Sequence, residues 1–307
     1  MASEKDYKNL TKEILEEVLN FEEKTRIYLL KRHKRLEKIR KRIEIKQAEE
    51  KPAESYGAVD SAMKEVNYAN KSLYIASLIA FDKDFIECDK AIIEDKPGKE
   101  GLLKSIAMMK EVMLASKIKR EIVFMDGSVL TFITAMNYGW EKTKKNKGKM
   151  EKRVKELYPK AIERFTKMLK EKQVVFLPKR SFRGELSEEM KENASEWFIA
   201  ESLLRKKEYI ITPFKERYLR KLRLEQAEEL IEIVRGFKVL YFKGPDGNVY
   251  KAEGLSFPVE NLMYFAKGGK RRQLIPMEYC DRFAKDSISY ALKNFERRSV
   301  PWWMPIE

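Results

Sequence analysis

Three acidic residues lie where a folded chain usually places apolar side chains. Asp60 follows the apolar stretch YGAV at the end of a predicted strand, and Asp126 ends the apolar stretch IVFM. Glu111 lies on a predicted helix, and spacings of three and four place it on the face that must pack against the sheet. Because an unpaired buried carboxylate costs several kcal/mol or more, this placement needs a purpose. The apolar residues that share the helix face with Glu111 are Leu103, Ala107, Leu114 and Ile118.

A divalent cation shared by the three carboxylates would offset the energetic cost of burying them. Mg²⁺ and Mn²⁺ bind carboxylate oxygens, and one or two such ions can activate a water and stabilise an in-line phosphodiester displacement. The pattern therefore predicts Asp60, Glu111 and Asp126 as metal ligands and catalytic residues. The alternative for each acid taken alone is a strand-end or helix-cap residue.

Other kinds of catalytic site lack the residues they need. His33 is the only histidine, and it lies in a charged predicted helix, so neither a Ser/His/Asp nor a Cys/His arrangement is available. No GxxxxGK loop is present, which excludes a P-loop ATPase. Cys88 and Cys280 are far apart and match no zinc pattern, which predicts a reducing interior.

The charge balance points to a polyanionic partner. The chain of 307 residues has 64 Lys and Arg against 49 Asp and Glu, a net charge of +15. Nucleic acid is the first expectation and an anionic membrane the second. A thermophile surface rich in Lys and Glu is the alternative, but it accounts for the charge density and not for its sign. No apolar run approaches 20 residues and the N-terminal sequence is not a signal peptide, so we expect a cytoplasmic protein.

The order of predicted elements favours an α/β fold, an RNase H-like mixed sheet flanked by helices. Residues 4–50 contain no Gly or Pro and are predicted as one long amphipathic helix, forming an N-terminal arm over residues 1–52. An antiparallel meander, a helix over 100–118 and a buried strand over 120–128 follow, which is the opening order of an RNase H-like domain. That domain is predicted over residues 53–307, with a mostly helical insertion at about 139–235. Within and after the insertion we predict strands at 173–179 and 208–214, a hairpin around GPDGN and a C-terminal helix.

The acidic motifs and their order resemble those of the NurA family of archaeal and bacterial nucleases. GAVD at 57–60 is similar to the family's first strand, KEVMLASKI carries the helical glutamate, and IVFMDGS closes on the DGS motif. VVFLPKRSFRG at 174–184 resembles the family's strand that closes on a Ser-Lys element, and Lys179 is the matching lysine. LSFPVENL at 255–262 is similar to a Phe-Pro segment, and Trp302 and Trp303 resemble the aromatic tail of some members.

The resemblance implies a Mn²⁺-dependent (or Mg²⁺-dependent) homodimeric nuclease that acts on DNA ends and single strands beside a HerA-type hexameric translocase. Lys179 and Arg180 are then expected beside the acids, on the phosphate next to the scissile one; a surface pair after a strand is the alternative. The apolar stripe of the N-terminal helix and the two tail tryptophans would form a large exposed patch, which also favours a two-fold homodimer.

Two departures from the family pattern leave a second function open. Ser61 and Ala62 follow the first aspartate, where the family usually has glycine. Leu255 and Met263 stand where the family has an active-site tyrosine and histidine. Tyr264, Lys267, Glu278 and Asp281 are the candidate replacements. The alternative function is therefore a DNA-binding or adaptor protein that keeps the fold without cutting.

Overall fold

Alternation of apolar and polar residues over long stretches builds a mixed sheet of nine strands within the described residues. The computed structural model describes residues 4–68, 70–82, 84, 86–179, 184–191, 195–215, 219, 225, 227–266 and 274–298. The strands are β1 (Lys46–Gln47), β2 (Tyr56–Tyr68), β3 (Lys71–Asp82), β4 (Ile86–Asp95), β5 (Ile122–Asp126), β6 (Gln173–Leu177), β7 (Glu208–Pro213), β8 (Lys238–Lys243) and β9 (Val249–Gly254). The helices are α1 (Glu4–Arg40), α2 (Glu100–Lys117), α3 (Val129–Lys145), α4 (Lys149–Glu171), α5 (Glu185–Glu189), α6 (Glu196–Leu203), α7 (Glu228–Arg235), α8 (Val259–Phe265) and α9 (Ile275–Arg298).

Five neighbouring strands have the RNase H arrangement that the sequence predicts. The sheet order is β1-β7-β8-β9-β6-β5-β2-β3-β4. β2, β3 and β4 form the antiparallel meander, whereas β5 runs parallel to β2 and β6 runs parallel to β5. The change from antiparallel to parallel pairing occurs at β2, because α2 provides the crossover from β4 back to β5. The predicted fold class is therefore confirmed.

Helices cover both faces of this sheet and enclose two apolar clusters. α2 packs against β2 and β3 on one face, beside α3 and α4, while α9 packs against β2 and β3 on the other. Successive β2 side chains serve opposite faces: Val59 belongs to the cluster under α2, and Ala58 and Ala62 belong to the cluster under α9. The small alanines let α9 approach closely, and the Cys280 thiol lies 3.5 Å from the Ala58 carbonyl oxygen. β3 is thus covered on both faces, as predicted.

The N-terminal helix ends earlier than predicted. α1 stops at Arg40, whose guanidinium donates two hydrogen bonds of 2.7 Å to the Glu208 carboxylate on β7. The next segment, RIEIKQ, alternates apolar and polar residues, and its last two residues form β1, which pairs antiparallel with β7. A strand-like period of two therefore replaces the helical period after residue 40. The predicted helix over 41–50 is wrong, and the division of the chain at residue 52 stays a prediction.

The stretch predicted as a mostly helical insertion contains α4 to α7 with β6 and β7 between them. The predicted hairpin is β8 and β9, and its turn uses Gly247 at a φ of +85°, a conformation that favours glycine. Within the ranges given above, no helix is both long and apolar enough to cross a membrane.

Candidate metal centre

The predicted acidic site lies at a notch in the sheet where β5 ends and β2 continues. β2 and β5 pair from Tyr56 and Ile122 up to Val59 and Met125. Beyond that register, β2 keeps its pairing with β3 as far as Tyr68. Asp60 and Asp126 are the next residues on the two parallel strands, so they are neighbours. The prediction that Asp60 ends its strand is wrong, because β2 continues to Tyr68 through its pairing with β3, whereas Asp126 does end β5. The loop after Asp126 turns away through Gly127, whose φ of +95° is one that residues with a side chain rarely adopt.

Glu111 reaches this notch from the face covered by α2. Its side chain is 1% exposed, as the helix periodicity predicted. The Ser61 hydroxyl donates a hydrogen bond to Glu111 Oε1, and the Ser61 backbone N–H donates to Asp60 Oδ1 at 2.7 Å. Ser61 therefore ties the helix carboxylate to the strand carboxylate. The sequence marked Ser61 only as a departure from the family pattern, and this contact could not be inferred from it.

Among the described residues, each of the three carboxylates has a buried oxygen without a hydrogen-bond partner. These atoms are Asp60 Oδ2, Glu111 Oε2 and Asp126 Oδ1. A buried acceptor left unsatisfied is costly, and folded proteins rarely keep several together without a reason. All three are hard oxygen donors of the kind that Mg²⁺ and Mn²⁺ prefer. The unpartnered atoms and the donor chemistry therefore fit a divalent cation.

Burial and mutual repulsion shift the pKa of every acid in this group upward. Burial, followed by the charges of Asp126 and Glu111, raises the pKa of Asp60 well above its usual range. Burial also raises the pKa of Glu111 to about 8, against the hydrogen bond from Ser61. The pKa of Asp126 is raised by burial despite the nearby Lys179 ammonium. Three such groups ionise together only if positive charge lies between them.

Lys179 provides part of that positive charge. Its Nζ lies 2.7 Å from Asp126 Oδ2 and 3.9 Å from Asp60 Oδ2, and its side chain is 34% exposed. Lys179 thus lies beside the acids, where it was predicted, and it is ion-paired with them.

In the part of the chain that the structure describes, no three His, Cys, Asp or Glu side chains have the arrangement of a formed metal site. Arg180, Lys267, Trp302 and Trp303 lie outside the described residues.

Two positions that match functional residues of the resembled family have different surroundings here. Met263 is fully buried in the cluster under α9, whereas Leu255 is 40% exposed. Among the candidate replacements, Asp281 is close enough for its charge to raise the pKa of Asp126, after the larger effect of burial. Tyr264 stacks edge-on against Phe265 at 5.5 Å between ring centroids.

Glu253 contacts the backbone next to the acidic site, and the sequence analysis did not identify it. Its Oε2 accepts hydrogen bonds from the Ser128 hydroxyl at 2.8 Å and from the Val129 backbone N–H at 3.0 Å, directly after the Asp126 loop. A signal was present in the hairpin strand VYKAEG, where Lys251 and Glu253 share one face of a strand that is otherwise apolar.

Comparison with solved structures identifies the fold over the whole chain. The NurA nuclease from Sulfolobus solfataricus superposes with a TM-score of 0.61 at 15% identity, covering 99% of this chain and 100% of that chain. A NurA bound to dAMP and manganese gives 0.59 at 12% identity over 98% of both chains. A NurA with manganese gives 0.54 at 13% identity, covering 97% of this chain and 99% of that chain.

Sequence comparison alone does not reach this likeness. No protein-family model matches the chain, and no curated protein matches it. The order of the elements predicted from the sequence nevertheless indicated the same architecture. The chain has the fold of the NurA nucleases, in a strongly diverged form.

Proposed function

We propose that the chain is a metal-dependent DNA nuclease whose divalent cation, Mn²⁺ or Mg²⁺, is held by Asp60, Glu111 and Asp126. The observation that carries the proposal is the set of three carboxylates at one notch of the sheet, each with one buried oxygen that has no hydrogen-bond partner in the described part of the chain. The fold shared with NurA structures that contain manganese supports the same metal. The net charge of +15 supports a polyanionic substrate.

The residues of the site have different proposed roles. When bound, the cation would activate a water molecule and stabilise the charge that develops on the phosphodiester. Asp60 and Asp126 hold their carboxylates at the point where the pairing of two parallel strands ends, and Ser61 orients Glu111 towards them. Lys179 is partly exposed and positively charged, so it can contact a phosphate of the DNA strand at the mouth of the notch.

A cleavage assay on end-labelled single- and double-stranded DNA tests the proposal. We expect cutting with Mn²⁺ or Mg²⁺ and none with EDTA. Binding of DNA without cutting in any of these conditions would favour the second candidate, an adaptor that keeps the fold. The buried Met263 at the position of the family's histidine favours that second candidate.

Lys179→Ala is expected to weaken DNA binding and to reduce the salt dependence. Losing one phosphate contact lowers the log–log slope of affinity against salt by roughly one unit. The slope is measured by fluorescence anisotropy with EDTA present, so that no DNA is cut. Lys170→Ala is the matched control, because Lys170 is exposed near the opposite end of β6 and pairs with Glu229. Equal slopes for the wild type and Lys179→Ala would remove Lys179 from the DNA contacts.

We also propose a homodimer that uses α1. The N-terminal half of α1 carries apolar side chains that face solvent: Phe21 is 72% exposed, and Ile14, Leu15, Val18 and Leu19 are each more than half exposed. The double substitution Val18→Asp and Phe21→Asp is expected to convert a dimer to a monomer in light scattering at micromolar concentration. Lys12→Asp with Lys24→Asp, on the same helix, is the control and should stay dimeric. A monomeric wild-type chain would defeat this proposal.

The proposed partner rests on the resemblance of the sequence motifs to the NurA family, which implies a HerA-type hexameric translocase. Cytoplasmic location stays a prediction from the sequence. Co-elution of the chain with a purified HerA-type hexamer in size-exclusion chromatography tests the partner.

A further inference from the structure

A buried ionic cluster lies behind the candidate metal centre, between β9 and the helices α5 and α6. Lys251 Nζ lies 3.0 Å from Glu185 Oε2, 3.1 Å from Glu196 Oε2 and 3.7 Å from Glu253 Oε1. All four side chains are buried, and the Tyr241 hydroxyl donates a further hydrogen bond to Glu196. Three carboxylates around one ammonium are expensive to bury, and apolar residues of the same volume are often as stable. The cluster therefore calls for a role besides stability.

Glu253 connects this cluster to the loop that carries Asp126. Its Oε1 faces Lys251, whereas its Oε2 accepts the two hydrogen bonds from Ser128 and Val129. Those donors belong to the first turn of α3, whose N-terminal N–H groups need acceptors. Ser128 satisfies the Leu130 N–H at 3.2 Å, and Glu253 satisfies that of Val129. The carboxylate thus ties the end of the loop to β9.

Within the described residues, the Asp126 loop is attached to the sheet on both of its parts. Asp126 itself is held by the pairing of β5 with β6 and by its ion pair with Lys179 at 2.7 Å. Gly127 adopts a positive φ, and its backbone N–H donates to the Leu177 carbonyl at 3.2 Å, which fixes the loop to β6. The two hydrogen bonds to Glu253 attach the part of the loop that follows Gly127 to β9. Releasing them would free the loop directly beside the Asp126 carboxylate.

We infer that Glu253 is a positioning residue, which Lys251 orients and which holds the Asp126-Gly127-Ser128 loop in the geometry that the candidate metal centre requires. The inference rests on the proposed function in one respect: it takes Asp126 to be a metal ligand. Glu253 would act through this loop and not by contacting DNA or the cation. Its contribution would be to hold the backbone on the C-terminal side of Gly127, which adopts a positive φ and has no side chain to pack.

Hydrogen exchange of the full chain, measured by mass spectrometry without metal, tests the holding of the loop. Glu253→Leu removes both acceptors, and Lys251 keeps Glu185 and Glu196, so no lysine is left unpaired. We expect exchange in residues 126–131 to rise by at least about tenfold, which is the population change for losing one to two buried hydrogen bonds. Exchange in β3 should stay unchanged. Glu253→Gln keeps an acceptor oxygen for Ser128 and Val129 and should restore most of the protection.

Two further variants keep the test decisive. Ser128→Ala removes one of the two donors and should give a smaller rise confined to the same residues, even if Glu253→Leu folds poorly. Glu151→Leu is the matched control, because Glu151 is a buried carboxylate that pairs with Lys99 at 2.8 Å and lies away from the loop. Unchanged exchange of residues 126–131 in both Glu253→Leu and Ser128→Ala would overturn the inference.

Mn²⁺ titration followed by electron paramagnetic resonance separates this inference from the proposed function. For a positioning residue, Glu253→Leu should weaken Mn²⁺ binding roughly 10–100-fold, as outer-shell substitutions typically do, and Glu253→Gln should recover most of the affinity. Equal affinity of wild type and Glu253→Leu, with a loosened loop, would contradict the positioning role. A wild-type chain that binds no Mn²⁺ and cuts no DNA refutes the proposed function instead, and the exchange data still decide whether Glu253 holds the loop.

Discussion

Replacing Asp126 with Asn is expected to lower the rate of DNA cutting by at least about 10³-fold while leaving the fold intact. The amide has the shape of the carboxylate and can still accept a hydrogen bond from Lys179, but it removes the negative charge that binds a divalent cation. Because the carboxylate is buried and its pKa is raised, losing its charge also relieves a desolvation cost. The thermal midpoint should therefore change little.

Single-turnover cutting rates and circular-dichroism melting curves check this prediction together. Asp89→Asn is the matched control: Asp89 lies on the edge strand β4, where it pairs with Lys110 at 2.6 Å. It makes the same chemical change outside the notch, so its cutting rate should match the wild type. A rate for Asp126→Asn within threefold of the control would remove Asp126 from the catalytic residues.

Glu111→Gln is expected to stabilise the metal-free protein at pH 8 and to abolish cutting. The pKa of Glu111 is raised from 4.5 to about 8, because the folded state buries it. A raised carboxyl pKa adds stability that is fully present below pH 4.5 and is lost as the pH rises through about 8. The amide does not ionise, and its oxygen can still accept the Ser61 hydrogen bond, so the variant escapes that loss.

Melting curves with EDTA at several pH values measure this difference. At pH 8 we expect the variant to melt at least about 2–4 °C above the wild type, corresponding to roughly 1 kcal/mol, with the gap closing near pH 5. Glu151→Gln should behave in the opposite way, because it weakens a buried ion pair with Lys99. A lower melting temperature for Glu111→Gln at pH 8 would show that the Glu111 carboxylate is not strained by its surroundings.

Site residues whose position follows from helix or strand periodicity could be predicted from the sequence. Residues that act through contacts between distant parts of the chain could not. Glu111 was recognised because helix spacing alone places it among apolar residues. Asp60 and Asp126 were recognised because each follows an apolar stretch, and the parallel pairing of those stretches places the two acids side by side. Their spatial convergence follows from the RNase H order, which the element sequence predicts.

The misses have physical causes as well. α1 was extended too far, because helix propensity has no stop signal at Arg40 and the bond from Arg40 to Glu208 spans 168 positions. Glu253 was missed because its partners, Ser128 and Val129, lie more than a hundred residues away and meet it only when β9 pairs with β6. The Ser61 contact with Glu111 depends in the same way on how α2 packs over β2.

Anomalous X-ray diffraction from crystals grown with Mn²⁺ can locate the proposed cation. We expect a manganese peak at the notch, with oxygens of Asp60, Glu111 and Asp126 at roughly 2.0–2.6 Å from the ion. The Lys179 ammonium should then have moved away from Asp126, because the cation replaces its charge. A manganese-soaked crystal with no peak at the three carboxylates, or with its peak at another group of acids, would contradict the account.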